Sequence, residues 1–116
     1  MRYDPENIDK NTLNAAKAFI AEVTKKYDYS GAILFGSRAR QTNRPDSDAD
    51  IAVILHGNTG KFVSTKLEMA DIAYDILLDT GVRIQPLPIW EDEWRHPEHY
   101  SNPLLLKNIA RDGIQL

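Results

Sequence analysis

The feature that most constrains the fold is a pair of short apolar segments with polar residues at neighbouring ends. Residues 32–35 (Ala-Ile-Leu-Phe) run directly into Gly36-Ser37, and residues 51–55 (Ile-Ala-Val-Ile-Leu) directly follow Asp48-Ala49-Asp50. Short apolar runs bounded by turn residues are typical of buried β-strands. We therefore expect two neighbouring strands whose polar ends share one side of the molecule.

The Gly36-Ser37 end has the chemistry of a phosphate-binding turn. Glycine lets the backbone approach an anion closely, serine offers a hydroxyl, and successive amides can point outward. Arg38, Arg40 and Arg44 follow closely, although the whole chain has a net charge of −3. A local cationic loop on an acidic protein suits a small polyanion better than a duplex. The plain alternative is an ordinary turn with solvated arginines.

The Asp48-Ala49-Asp50 end has the chemistry of a magnesium site. Side chains at positions i and i+2 of a strand share one face, so the two carboxylates point together while Ala49 and Ile51 point away. Two adjacent carboxylates repel each other, and Mg²⁺ relieves the repulsion while taking further ligands from phosphate oxygens and water. A solvated strand end is the alternative for such a pair in isolation.

The remaining pattern predicts an α+β fold with a small mixed β-sheet packed against helices. A helix capped by Asp9 or Asn11 runs to about Tyr27, and residues 42–46 form a loop. A second helix is capped by Ser64 or Thr65 and stops at Gly81. Residues 82–87 form a third strand, whose distal half must lie at a sheet edge or leave the sheet because proline cannot donate ladder hydrogen bonds. Residues 103–112 form a last short helix.

Composition indicates one domain spanning residues 1–116. The N-terminus lacks the apolar run of a signal peptide, and no apolar stretch approaches the ~20 residues that span a bilayer. The absence of cysteine excludes disulfides and thiolate metal sites. We expect a cytoplasmic protein with no membrane contact, and the net charge gives no strong indication of nucleic-acid binding.

The segment from Phe35 to Asp50 resembles the polymerase-β-like nucleotidyltransferase superfamily, in which Gly-Ser precedes Asp-x-Asp at this spacing. The string with Arg38-Ala39-Arg40 inside it looks like the minimal nucleotidyltransferase branch. The resemblance implies a nucleotidyltransferase-like fold, in which Gly36 and Ser37 hold a nucleoside triphosphate, with ATP expected, and Asp48 and Asp50 hold Mg²⁺ and act as the catalytic carboxylates. Arg38, Arg40 and Ser47 are further candidates for contacting the nucleotide. Alternatively, an arginine tethers the loop to Asp46 or Asp48, and Ser47 caps the turn.

The same resemblance implies transfer of a nucleoside monophosphate to an acceptor hydroxyl. Minimal nucleotidyltransferase domains of this size are often the antitoxin of a toxin–antitoxin pair and modify a small helical HEPN-type ribonuclease. That partner is therefore expected here.

One departure concerns the later strand, where active members carry a third carboxylate. The segment 81–86 holds no acid, and Arg83 or Gln85 takes that place. Glutamine cannot act as a general base. The alternative function is therefore a module that binds nucleotide, is weakened or inactive in catalysis, and neutralises a partner by contact.

The C-terminal part holds two further patterns. Trp90 and Trp94 are spaced as on one helix face, with packing expected for at least one. The run Glu91-Asp92-Glu93 is expected to be a solvated first helical turn, and the scattered histidines are expected at the surface.

Overall fold

A computed structural model describes Glu6, residues 8–44 and residues 46–116. Four strands form one sheet in the order β3-β2-β1-β4. Their bounds are Tyr29–Phe35 (β1), Ala49–Leu55 (β2), Ile84–Trp90 (β3) and Ile114–Gln115 (β4). The β1 strand pairs antiparallel with β2 and with β4, and β2 pairs parallel with β3. The mixed sheet and its helices confirm the predicted α+β class.

Within the described residues, five α-helices accompany the sheet. They span Lys10–Lys26 (α1), Ser37–Arg40 (α2), Phe62–Thr80 (α3), Glu91–Arg95 (α4) and Pro103–Asp112 (α5), and a 3-10 turn occupies Pro97–His99. None of the helices in the described part of the chain is both long and apolar enough to cross a membrane.

Two helix ends lie where the sequence predicts them. The Asp9 carboxylate accepts a hydrogen bond from the Thr12 amide at 3.0 Å, so Asp9 caps α1. Gly81 ends α3 with φ of 76° and ψ of 0°, a left-handed conformation that glycine adopts without steric penalty. Both were predicted from the sequence, with Asn11 as the alternative cap.

The sheet buries side chains on both faces. On one face, α1 and α3 cover alternate residues of the central strands, with Phe19 and Met69 fully buried. On the other face, α5 packs Leu106 and Ile109 against the intervening residues. Because strand side chains alternate between faces, this double burial explains the continuous apolar sequence of β1 and β2.

Several boundaries differ from expectation. The α3 helix begins at Phe62, so the predicted caps Ser64 and Thr65 lie inside it. Its cap residue is Lys61, which provides no side-chain hydrogen bond. The β3 strand extends to Trp90, beyond the predicted end at residue 87. It pairs only with β2, so it is an edge strand, and this accommodates its two prolines as predicted.

The segment after β3 also differs. Trp90 is the last residue of β3 and Trp94 lies in α4, so the two do not share a helix face. Trp90 is buried in the core beside α1 and α3, which satisfies the expectation that at least one packs. Glu93 is buried rather than solvated, and its Oε1 accepts a hydrogen bond from the Trp90 amide at 3.1 Å. His96 and His99 stack with ring centroids 5.1 Å apart on the exposed surface.

Candidate functional site

The corner after β1 is the point where the two predicted strand ends meet. Phe35, the last residue of β1, pairs with Asp50 of β2. The next residue, Gly36, has φ of 73° and ψ of −155°, a region that side chains strongly disfavour. A Cβ added to Gly36 would collide with Oδ2 of Asp50. Glycine is therefore required here for its backbone conformation and for the close approach of the carboxylate.

The two aspartates lie where strand alternation places them. Ala49 and Ile51 are buried in the core that α1 and α3 cover, whereas Asp48 and Asp50 are only partly buried. Burial raises the pKa of Asp50, and the negative charge of Asp48 raises it further. The charges of Arg40 and Lys66 act in the opposite direction. Ionised Asp50 is thus in a desolvated and repulsive environment, which a bound cation would relieve.

Arg38 is held by the protein itself. Its guanidinium donates to the carbonyl of Ser47 through Nε at 2.9 Å and Nη2 at 2.6 Å, and to Oγ1 of Thr12 through Nη1 at 2.8 Å. The side chain is buried, and it ties the loop before β2 to α1. This geometry favours the tethering alternative, with Ser47 and Thr12 among the partners of the guanidinium. A nucleotide contact by Arg38 stays a prediction.

Arg40 and Ser37 remain available to a ligand. Neither the Arg40 guanidinium nor the Ser37 hydroxyl forms a hydrogen bond or ion pair with another described residue. Arg40 is exposed and its charge acts on Asp50, so it lies on the ligand side of the corner. Of the two arginines in α2, Arg40 is therefore the better placed to receive a phosphate.

Ser47 stabilises the loop between the two halves of the site. Its hydroxyl accepts the Arg44 amide at 2.9 Å, and its own amide donates to the Arg44 carbonyl at 3.0 Å. This is the turn-capping role that we considered as an alternative. Pro45, which belongs to the same predicted loop, lies outside the described residues.

The parallel pairing of β2 and β3 decides which residue takes the place of the third carboxylate. Gln85 is the register partner of Asp50 and is exposed on the same face of the sheet. Arg83 instead lies beside Asp48, with its Nε 4.0 Å from Oδ1 of that carboxylate. Within the described residues, no group of three His, Cys, Asp or Glu side chains is placed to hold a metal.

A cavity of about 230 Å³ adjoins the corner. Its walls come from the end of β1, from Arg40 and from α5, which contributes Leu105, Asn108 and Asp112. A larger cavity of about 410 Å³ lies on the Thr12 side of Arg38 and includes neither Gly36 nor the two aspartates. Size alone therefore does not locate the site: the smaller cavity is lined by Gly36 and Arg40, although Asp48 and Asp50 line neither cavity.

Comparison with known families agrees with this geometry. The sequence profile described as polymerase beta, nucleotidyltransferase, matches residues 18–116, which include the corner, the aspartate pair and all four strands. The chain belongs to this nucleotidyltransferase family. Members of the family generally use a divalent metal and a nucleoside triphosphate.

A candidate nucleotidyltransferase from Sulfolobus solfataricus, solved by crystallography, has a similar structure. The two chains are 18% identical, with a TM-score of 0.54. The match covers 92% of the chain described here and 86% of the Sulfolobus chain. This likeness supports the fold alone. A search of curated proteins found no match.

Proposed function

We propose that the protein binds a magnesium–nucleoside triphosphate, with ATP as the expected nucleotide, and transfers its nucleoside monophosphate to an acceptor hydroxyl. The contact between Gly36 and the carboxylate of Asp50 carries this proposal. It joins a backbone turn suited to phosphate and a carboxylate pair suited to a hard cation.

Each residue has a part that its position supports. The Gly36 corner and the Ser37 hydroxyl hold the triphosphate, and Arg40 neutralises part of its charge. Asp48 and Asp50 would hold Mg²⁺, which would supply positive charge to the oxygens on which negative charge develops. Arg38 and Ser47 keep the loop that carries the aspartates in place.

The reaction forms a bond between the acceptor oxygen and the α-phosphorus. It breaks the bond from that phosphorus to the oxygen bridging to the β-phosphate, and pyrophosphate leaves. The acceptor hydroxyl must also lose a proton, and Gln85 cannot take it. The proton passes instead to water or to a group that the acceptor brings.

We propose that this acceptor is a small helical HEPN-type protein and that the pair acts as toxin and antitoxin. Two features support a protein acceptor. The cavity beside the corner is small compared with the roughly 300–1,000 Å³ of typical ligand pockets. The outer side of α3 also exposes apolar side chains, as described below.

Transfer is tested by incubating the protein with labelled ATP, Mg²⁺ and the protein encoded beside it. We expect a mass gain on that protein and its loss in Asp48→Asn and Asp50→Asn. Asp28→Asn, which changes an exposed aspartate just before β1 at the end opposite Gly36, is the matched control and should transfer normally. Normal transfer by both site variants would contradict the assignment.

Gln85 also favours a second candidate, a binding module that neutralises its partner without turnover. This candidate predicts no mass gain and a stable complex that forms equally well with the Asp48→Asn and Asp50→Asn variants. The same incubation, followed by size-exclusion chromatography, separates the two functions.

A further inference from the structure

The α3 helix is apolar on two opposite sides. Its inner side packs Met69, Ile72 and Ile76 into the core. Its outer side exposes Val63 (68%), Leu67 (62%), Tyr74 (60%) and Leu78 (67%). These are four of the six large apolar side chains that are exposed in the described chain. A surface helix normally has one apolar stripe and one polar face that is exposed to solvent. The exposed outer side of α3 is instead apolar, which is unusual.

The exposed residues form one continuous stripe. Positions 63, 67, 74 and 78 fall within about 60° of one another at the 100° per residue of an α-helix. The small, exposed Ala70 lies between Leu67 and Tyr74 along the helix axis. We call Val63, Leu67, Ala70, Tyr74 and Leu78 the α3 outer face. Isolated exposed apolar residues are common, whereas a contiguous stripe marks an interaction surface.

The charges beside the α3 outer face restrict what can cover it. Asp71, Asp75 and Asp79 follow one flank at four-residue intervals, and all three are exposed. None of them forms an ion pair with another described residue. A partner that buries the stripe must therefore bring positive charge to this flank, or it leaves three carboxylates facing an uncompensated interface.

A second copy of this chain fits the stripe but not the charges. In an antiparallel pairing of two α3 helices, Val63 lies opposite Leu78 and Leu67 opposite Tyr74 of the other copy. The two-fold axis then passes close to Asp71, and the acidic flank of one copy meets the acidic flank of the other. Like charges at an interface disfavour association.

We infer that the α3 outer face binds an amphipathic helix of another protein, whose apolar ridge has lysine or arginine residues along one side. Helix-on-helix recognition through residues spaced three and four apart is a common binding mode. The face points away from the sheet, so an occupant leaves Gly36, Asp48 and Asp50 uncovered. The inference names a surface for the partner in the proposed function, yet it does not depend on nucleotide chemistry.

The test uses a synthetic helical peptide about 18 residues long, with leucines on one face and lysines along one flank. A matched peptide carries glutamates at the lysine positions. Binding is measured by fluorescence anisotropy and located by NMR amide shifts. We expect the lysine peptide to bind, with amide shifts concentrated on α3. The affinity of the glutamate peptide should be lower by roughly tenfold or more.

Variants separate the surface from general stickiness. Leu67→Asp combined with Tyr74→Asp should weaken lysine-peptide binding by roughly tenfold or more. Leu104→Asp removes an equally exposed leucine from α5 (66% exposed) and should change nothing. Reversal of the flank by Asp71→Lys with Asp75→Lys should shift preference to the glutamate peptide. Because all these side chains are exposed, circular dichroism should show unchanged folding.

Three results would overturn the inference. The first is absence of peptide binding, and the second is equal binding of both peptides. The third is a dimer of the protein alone, seen by sedimentation velocity and dissociated by Leu67→Asp, which would assign the face to a second copy. Magnesium-dependent ATP binding by the same variants reports on the proposed nucleotide site separately, and we expect it to be unchanged.

Discussion

Replacement of Gly36 by alanine is the perturbation whose effect the structure defines most closely. Alanine would have to adopt φ of 73° with ψ of −155°, and its Cβ would collide with Oδ2 of Asp50. A non-glycine residue in this region costs on the order of 1–3 kcal/mol. The collision adds a second effect, because it can be relieved only by moving the carboxylate. We therefore expect a modest loss of stability together with a severe loss of nucleotide binding.

Gly81→Ala provides a control at a second positive-φ glycine, in the left-handed helical region, where no collision occurs. Gly81 has nearly the same φ, 76°, but a Cβ there would meet nothing within 4 Å. Its substitution should cost about 1–2 kcal/mol through conformation alone and leave nucleotide binding intact. Unfolding in urea gives the stability of both variants, and isothermal titration calorimetry gives their affinity for ATP with Mg²⁺.

A double-mutant cycle isolates the contact itself. In an Asp50→Ala background the colliding oxygen is absent, so Gly36→Ala should cost less stability than in the wild type. The reasoning is refuted if Gly36→Ala binds nucleotide like the wild type. It is equally refuted if the stability cost of Gly36→Ala is the same in both backgrounds.

Three further predictions concern the surrounding residues. Arg38→Met should lower the unfolding free energy by about 1.5–3 kcal/mol, because it leaves buried acceptors without a donor. Arg40→Met should leave stability unchanged and weaken ATP binding. Urea titration measures the stability of the two variants, and calorimetry measures their ATP binding. Because burial on folding raises the pKa of Asp50 above the ordinary aspartate value of 3.8, ionisation of Asp50 costs stability as the pH rises above that value. Asp50→Asn should therefore be more stable than the wild type at neutral pH, and thermal unfolding should show this advantage disappearing below that value. Gln85→Glu should add a third carboxylate beside Asp50 and increase the rate of labelled transfer from ATP.

The corner could be predicted from the sequence because local rules determine it. Strand alternation fixes the shared face of Asp48 and Asp50, and a glycine directly after a buried strand indicates a special turn. Neither rule depends on distant parts of the chain. The sequence could not distinguish Arg83 from Gln85 as the neighbour of Asp50, because that assignment requires the register of two parallel strands separated by a helix.

Other features depend on tertiary packing and carry no local signal. Arg38 and Arg40 look equivalent in the sequence, yet only Arg38 reaches Thr12, which is distant in the chain. The two-residue strand β4 is too short for a periodic pattern to indicate it. Glu93 looked solvated within its acidic run, but the end of β3 brings the Trp90 amide against its carboxylate.

The most direct test of the central claim is the affinity of the purified protein for ATP, measured by calorimetry with Mg²⁺ and again with excess EDTA. We expect ATP to bind in the presence of Mg²⁺ and EDTA to abolish this binding. Asp48→Asn and Asp50→Asn should each weaken the binding without lowering the unfolding temperature. Binding that is indifferent to Mg²⁺ and to both substitutions, or no binding at all, would contradict a metal–triphosphate site at the Gly36 corner.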